Sequence, residues 1–152
     1  MMVQLMIMYF VVFSSSRHEV AVATLAFGIN SGAYVAEIVR GGIMSVDAGQ
    51  MEAGRSLGMN YTQTMRHIII PQAIKNILPA LGNEMITLLK DTSLMTVIGA
   101  KDLTKAAQTV QAVTYQAFMP YISIAVIYLV CVIALSKLLA LIERRMRNSD
   151  RR

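Results

Sequence analysis

Charge is what this chain has least of. Only 15% of its 152 residues are Asp, Glu, Lys or Arg, against about a quarter in an ordinary soluble domain. Tryptophan is absent, proline occurs three times, and the single cysteine, Cys131, sits in an apolar run. One cysteine excludes a disulfide scaffold. The only histidines are His18 and His67, and the span topology set out below puts them on opposite sides of a membrane, which argues against a His-based zinc centre or a Ser-His hydrolase. The phosphate-cradling pattern G-x-x-x-x-G-K-S/T does not occur, so no P-loop nucleotide site is expected. What the chain does have is apolar side chains, 55% of the total, with a mean hydropathy of +0.53. That excludes disorder and, with so little charge, points away from a soluble globule. Twelve methionines, many in apolar runs, read as adaptable packing rather than as metal ligands.

The charges are also unevenly placed. None falls between Ala106 and Ser136, a stretch longer than the ~20 residues a helix needs to cross a bilayer. Four apolar segments read as spans: Met1 to Phe13, Val20 to Val39, Ile77 to Ala100, and Tyr121 to Ile142. The first is short, and the third carries Glu84, Lys90 and Asp91. With four spans, Arg40, Arg55, Arg66, Lys75, Arg144, Arg145, Arg147, Arg151 and Arg152 fall on one side, and only Arg17, Lys101 and Lys105 on the other. The positive-inside bias therefore places the 41–75 loop and the C-terminus in the cytoplasm. The tail over 143–152 is expected to be a basic, solvated segment lying on anionic lipid. The fold class is all-α integral membrane protein, one domain over 1–152.

Between the second and third spans, residues 45–71 read as two short helices. Asp47 is placed to cap the first, with Gln50 three residues on reaching back as in a capping box. That helix should run to Leu57 and stop at Gly58, which accepts a left-handed backbone. Asn60 with Gln63 repeats the pattern for a second helix, expected to end near Pro71 because proline disfavours helix in the residue before it. Helix, glycine turn, helix also has the outline of a DNA-binding motif. Flanking spans and few basic side chains (Arg55, Arg66, His67) oppose that reading, so no nucleic-acid partner is expected. A surface-lying amphipathic helix is a third description of the same segment.

The pattern Glu52-Ala53-Gly54, three residues, Gly58, nine residues, Ile68-x-Ile70-Pro71 resembles the EAA loop of permease subunits of ATP-binding-cassette importers. Asn30-Ser31-Gly32 before it, and Gly82-Asn83-Glu84 with Leu89-Lys90-Asp91-Thr92-Ser93-Leu94 after it, resemble the branch that takes up polar amino acids. The resemblance covers nearly the whole chain and departs from the motif at Gly54, where the family has Ala, and at Ile70, where it has Leu. It implies that Glu52, Ala53, Gly54, Gly58, Ile68 and Pro71 belong to a cytoplasmic coupling loop that docks on a separate ATPase subunit. ATP and magnesium would be bound by that subunit, and no cofactor by this chain. It further implies a second permease subunit, identical or not, an extracytoplasmic solute-binding protein, and residence in the bacterial inner membrane among lipid. Family members usually carry another span ahead of the region resembling Met1 to Phe13. The chain is thus read as a shortened permease fold, with a truncated, transport-inactive interaction protein as the alternative.

Glu84, Thr87 and Asp91 are spaced i, i+3, i+7 and share one face of a helix. Carboxylates at membrane depth are costly unless they face a partner or a watery cavity. An ion pair between Lys90 and Glu37 is one way to satisfy such charges. A pocket for the ammonium group of a solute is another, and the resemblance points to the second. Asn30, Glu84 and Asp91 are accordingly the candidate solute-binding residues, although Asn30 would serve equally as a helix–helix hydrogen bond. Solute transfer by alternating access requires no covalent chemistry, and no catalytic residue is expected.

Overall fold

A computed structural model describes residues 1–15 and 18–148. Of the basic residues used for the topology, Arg17, Arg151 and Arg152 lie outside the described residues, as does the end of the 143–152 tail. Among the described residues there is no strand. Helix α1 (Met2–Ile7) continues into a π-helical turn (Met8–Val12). It is followed by α2 (Glu19–Met44), α3 (Ala48–Ser56) and α4 (Tyr61–Thr64), then a second π-helical turn (Met65–Ile69) that leads into α5 (Ile70–Asp91). A 3-10 segment (Thr92–Ile98), α6 (Leu103–Thr114) and α7 (Phe118–Asn148) complete the described residues.

Two of these helices, Glu19–Met44 and Phe118–Arg144, are long and apolar enough to cross a membrane, and Met2–Val12 is a shorter apolar helix. The expected third span differs in both ends. Its helix starts at Ile70 rather than Ile77, and beyond Asp91 it tightens into 3-10 geometry. Hydroxyls explain the tightening. Thr92 Oγ1 donates to the Leu89 carbonyl and Ser93 Oγ to the Lys90 carbonyl, both at 2.7 Å, so side chains serve carbonyls at the end of the α-helix.

The chain divides into two compact units, Met1–Gly32 with Met85–Ser136, and Ala33–Glu84 with Lys137–Arg152. The first has its core where α1 meets α2 and the 3-10 segment: Leu5, Ala23, Ala26, Ile98 and Ala100 are buried, with Phe27, Leu94 and Met95 packed around them. Alanines on α2 let the helices approach closely, and full burial of Leu5 contributes roughly 1.5–3 kcal/mol. Gln4 Nε2 adds a hydrogen bond to the Ala26 carbonyl at 3.4 Å. Gly99, at φ 85°, closes the 3-10 segment, and Asp102 caps α6 by accepting from the Lys105 amide at 2.7 Å.

The second unit is held by close approaches that only glycine permits. Gly42 of α2 lies flush against Ile77 of α5, where an added Cβ would overlap the Ile77 side chain. Gly82 of α5 faces Leu139 of α7, whose methyls would stand 2.8 Å from a Cβ. Polar ties reinforce the first of these contacts. Asn76 Nδ2 donates to Ser45 Oγ at 2.8 Å, and Ser45 Oγ donates to the Gly42 carbonyl at 2.8 Å.

Candidate functional site

The segment between α2 and α5 folds into a compact two-helix knob, and the caps that start each helix are as the sequence suggests. Asp47 accepts from the Gly49 amide at 2.6 Å and starts α3. The capping box proposed for Gln50 does not form: Gln50 Oε1 instead accepts from Gln72 Nε2 of α5 at 3.5 Å. At α4 the full box is present, Gln63 N to Asn60 Oδ1 and Asn60 N to Gln63 Oε1, each 2.9 Å. Between them Gly58 takes φ 79°, a left-handed conformation that costs a residue with a Cβ roughly 1–2 kcal/mol. Its amide donates to the Arg55 carbonyl and the Met59 amide to the Gly54 carbonyl, so the end of α3 is satisfied.

The expected helix end at Pro71 is not found. The chain runs helically through Ile70 and Pro71 into α5. The π-helical turn just before makes this continuity feasible, with the Ile70 amide donating to the Met65 carbonyl five residues back. Widening the helix there relieves the crowding that a proline ring imposes on the preceding turn. The knob is therefore rigidly continuous with α5. His67 Nδ1 sits 2.9 Å from the Gln63 carbonyl; a carbonyl only accepts, so Nδ1 carries the proton. The histidine serves the helix that bears it.

The two helices of the knob meet at Gly54 and Thr64. Gly54 is buried and Thr64 is fully inaccessible. A Cβ on residue 54 would stand 2.6 Å from Thr64 Cγ2 and 3.3 Å from Ile68 Cδ1. Thr64 is pinned in place, its hydroxyl donating to the Asn60 carbonyl at 3.0 Å. The departure from the family's second alanine thus has a steric reason, because this glycine makes room for a β-branched partner. Thr64 was not singled out from sequence, and its only signal was that a small residue replaced alanine at a helix contact. On the outer side of the knob Glu52 and Ala53 are exposed, and Pro71 is exposed at the start of α5. Gly54, Thr64 and Ile68 form its inside and Glu52 with Ala53 its outside.

The candidate solute residues distribute differently. Asn30 and Asp91 belong to the first unit and Glu84 to the second. Glu84 and Asp91 lie on one uninterrupted helix, α5, so their seven-residue spacing does place them on one face. All three are half-buried. Within the first unit a cavity of about 420 Å³ is lined by Thr24, Phe27, Gly28, Ser31, Gly32, Leu88 and Thr92. Its polar side chains are Thr24, the buried Ser31 next to Asn30, and Thr92 next to Asp91. Glu37 does not wait for Lys90: it pairs with Arg40, one turn along α2, at 2.7 Å. Both partners are about two-thirds exposed, 67% and 65%, so the pair contributes little stability.

Comparison with known proteins adds to this geometry. The family described as "Binding-protein-dependent transport system inner membrane component" matches residues 1–148. The glutamine transport system permease protein GlnP of Escherichia coli K12 is 41% identical over 149 residues, which are 95% of this chain and 68% of that protein. The arginine transport system permease protein ArtQ of Bacillus subtilis 168 is 39% identical over 153 residues, covering 99% of this chain and 70% of the relative. A solved structure described as an amino acid ABC transporter with histidines superposes with a TM-score of 0.89 at 53% identity, over 95% of this chain and 68% of that one.

Proposed function

Taking as premise that the chain belongs to the binding-protein-dependent transport system inner membrane component family, we propose that it moves polar amino acids inward as the permease subunit of an ATP-binding-cassette importer. It is a transporter subunit and not an enzyme; hydrolysis of ATP belongs to a separate ATPase subunit. Its place is the inner membrane. The observation that carries the mechanism is the knob. It is short, capped at both helices, locked by Gly54 against Thr64, and helically continuous with α5 through Pro71. A push on a floppy loop would be lost as loop motion, whereas a push on this element is delivered to α5.

In this reading the knob faces the cytoplasm together with the C-terminus. Glu52 and Ala53 present its outer face to the ATPase, and closure of the ATPase displaces α5 during alternating access. A second permease subunit completes the pore, and a solute-binding protein delivers the solute on the opposite side. Asn30, Glu84 and Asp91 are the proposed solute contacts. The two carboxylates suit the ammonium group that all amino acids carry, and the relatives' names include both a neutral solute, glutamine, and a cationic one, arginine.

Uptake of radiolabelled glutamine and arginine into cells expressing this chain with its ATPase and binding protein tests the reading. Glu84→Gln and Asp91→Asn should each lower uptake at least tenfold while the complex still assembles, the expected cost of removing a charge partner to a desolvated ammonium. Full uptake by both variants would remove these carboxylates from the solute path. No uptake of any amino acid by the wild-type assembly would overturn the transport reading itself.

A further inference from the structure

Helix α6 has its polarity reversed. Two of its glutamines turn toward the protein: Gln108 Oε1 accepts from Thr96 Oγ1 of the 3-10 segment at 3.3 Å, and Gln111 Oε1 accepts from the Tyr121 hydroxyl of α7 at 2.9 Å. Val110 and Val113 each follow one of these glutamines by two residues, so each stands roughly 160° away around the helix. Both are exposed, Val113 at 75%. With Leu103 and Ala106, also exposed, they form one apolar stripe at i, i+3, i+7, i+10. A helix covering a core in water shows the opposite arrangement, apolar side inward. The hydroxyls beside the stripe are satisfied within the helix: Thr109 Oγ1 donates to the Lys105 carbonyl and Thr114 Oγ1 to the Val110 carbonyl, both at 2.9 Å. A hydroxyl needs such a bond wherever water is absent. The charges of this region, Lys101, Asp102 and Lys105, gather at the start of α6, and none follows from Ala106 to Ser136.

The depth of α6 is tied to the span that follows it. The helix ends at Thr114 and the span Phe118–Arg144 begins four residues later, a reach of at most ~14 Å. The Gln111–Tyr121 hydrogen bond holds the end of α6 beside the first turn of that span. A span of 27 residues is ~40 Å long against a hydrocarbon layer of ~30 Å, so its first turn sits where acyl chains meet head groups. At 12 residues, α6 is ~18 Å long and too short to cross. Tyr115, at the join, is exposed and suits the boundary layer, where tyrosine is enriched. Phe118, Met119 and Ile122, on the span itself, continue the series of exposed apolar side chains.

We propose that α6 lies in the boundary layer of the leaflet in which α7 begins, with Leu103, Ala106, Val110 and Val113 against the upper acyl chains. Lipid is the occupant that the surroundings favour. The stripe is bonded to the side of a membrane span, and its neighbouring hydroxyls are engaged inside the helix, which leaves a protein partner little that is polar to recognise. A partner arriving from water would require this apolar face to stand in water before it docks. The inference rests on the membrane placement of α7 and not on the transport reading.

The chain contains no tryptophan, so one introduced into it reports alone. Val110→Trp and Val113→Trp, each in the full chain reconstituted into phosphatidylcholine vesicles, read the surroundings of the stripe. In vesicles brominated high on the acyl chain each should lose about half of its fluorescence, as expected for a helix face sunk a few ångströms below the head groups. Bromine near the chain end should quench them less, and iodide in the water should not quench them. Lys101→Trp should respond to iodide, and Leu129→Trp, in the middle of the span, most strongly to the deep bromine. Quenching of both valine positions by iodide and not by bromolipid would put the stripe in water and overturn the proposal. Resistance to both quenchers would mark a face covered by a second subunit and overturn it equally. A lipid carrying a diazirine on its upper acyl chain makes the same test on the unsubstituted chain: light should label Leu103, Val110 or Val113, and absence of label from all three while α7 is labelled would contradict the placement.

Discussion

The knob and helix α7 are built by opposite means. In α7, no residue of the window that marks it as a span is fully buried within this chain, and its apolar side chains Leu129, Val130, Ile133 and Leu138 are exposed. A membrane or another subunit must solvate them, and backbone hydrogen bonding alone keeps the segment helical in hydrocarbon. The knob has few apolar residues and two very short helices, α3 and α4, well below the length at which an isolated helix holds in water. It stands on particular atoms: two caps, one left-handed glycine and one glycine–threonine contact. Hydropathy decides α7 and tolerates change; local stereochemistry decides the knob and does not.

Substitutions can break that contrast. The largest effect is expected at Gly54. Overpacking usually costs ~1–3 kcal/mol, so Gly54→Ala should loosen the knob by that order, read as faster hydrogen exchange of the amides from 48 to 64. Adding Thr64→Ala should recover much of the loss, because it removes the atoms that clash; simple additivity of the two would refute the contact. Gly58→Ala comes next, at ~1–2 kcal/mol for forcing a Cβ into the left-handed region, with no steric contribution, since nothing lies within 4 Å of that Cβ. Asn60→Ala should cost ~1 kcal/mol and expose the Gln63 amide, which the Asn60 side chain serves, to exchange. At the small end, Leu129→Ala on α7 should change the stability of the folded chain in detergent by within about 0.5 kcal/mol. A cost in thermal unfolding as large as that of Gly54→Ala would erase the distinction between the two regions.

The same contrast explains how far the sequence could be read. The spans Val20 to Val39 and Tyr121 to Ile142 were legible because hydropathy needs no partner, and α2 and α7 contain them. The starts of α3 and α4 were legible because capping is local: Asp47 and Asn60 act on amides within three residues. What escaped were features that neither a hydropathy run nor a capping pattern announces. Gln50 bonds across to Gln72, not back to its own helix start. Pro71 stays inside a helix because a π-helical turn absorbs it, and neither the turn nor Thr64's burial leaves a mark in composition or period. For the solute pocket, one helix could be read, so Glu84 and Asp91 fell on one face, but the lining of the first unit's cavity by Ser31 and Thr92 needed the fold.

The central claim is that the knob's outer face is what the ATPase grips. The most direct test is co-purification of the ATPase with wild-type chain and with Glu52→Arg, after extraction in detergent. Glu52 is exposed and its side chain supports no contact inside the knob, so reversing its charge should leave the fold intact. The account predicts that wild type retains the ATPase and that Glu52→Arg loses at least nine-tenths of it, the effect of reversing a charge at a protein interface, while hydrogen exchange over the knob is unchanged. Equal retention by the two proteins would contradict it and detach this element from the ATPase.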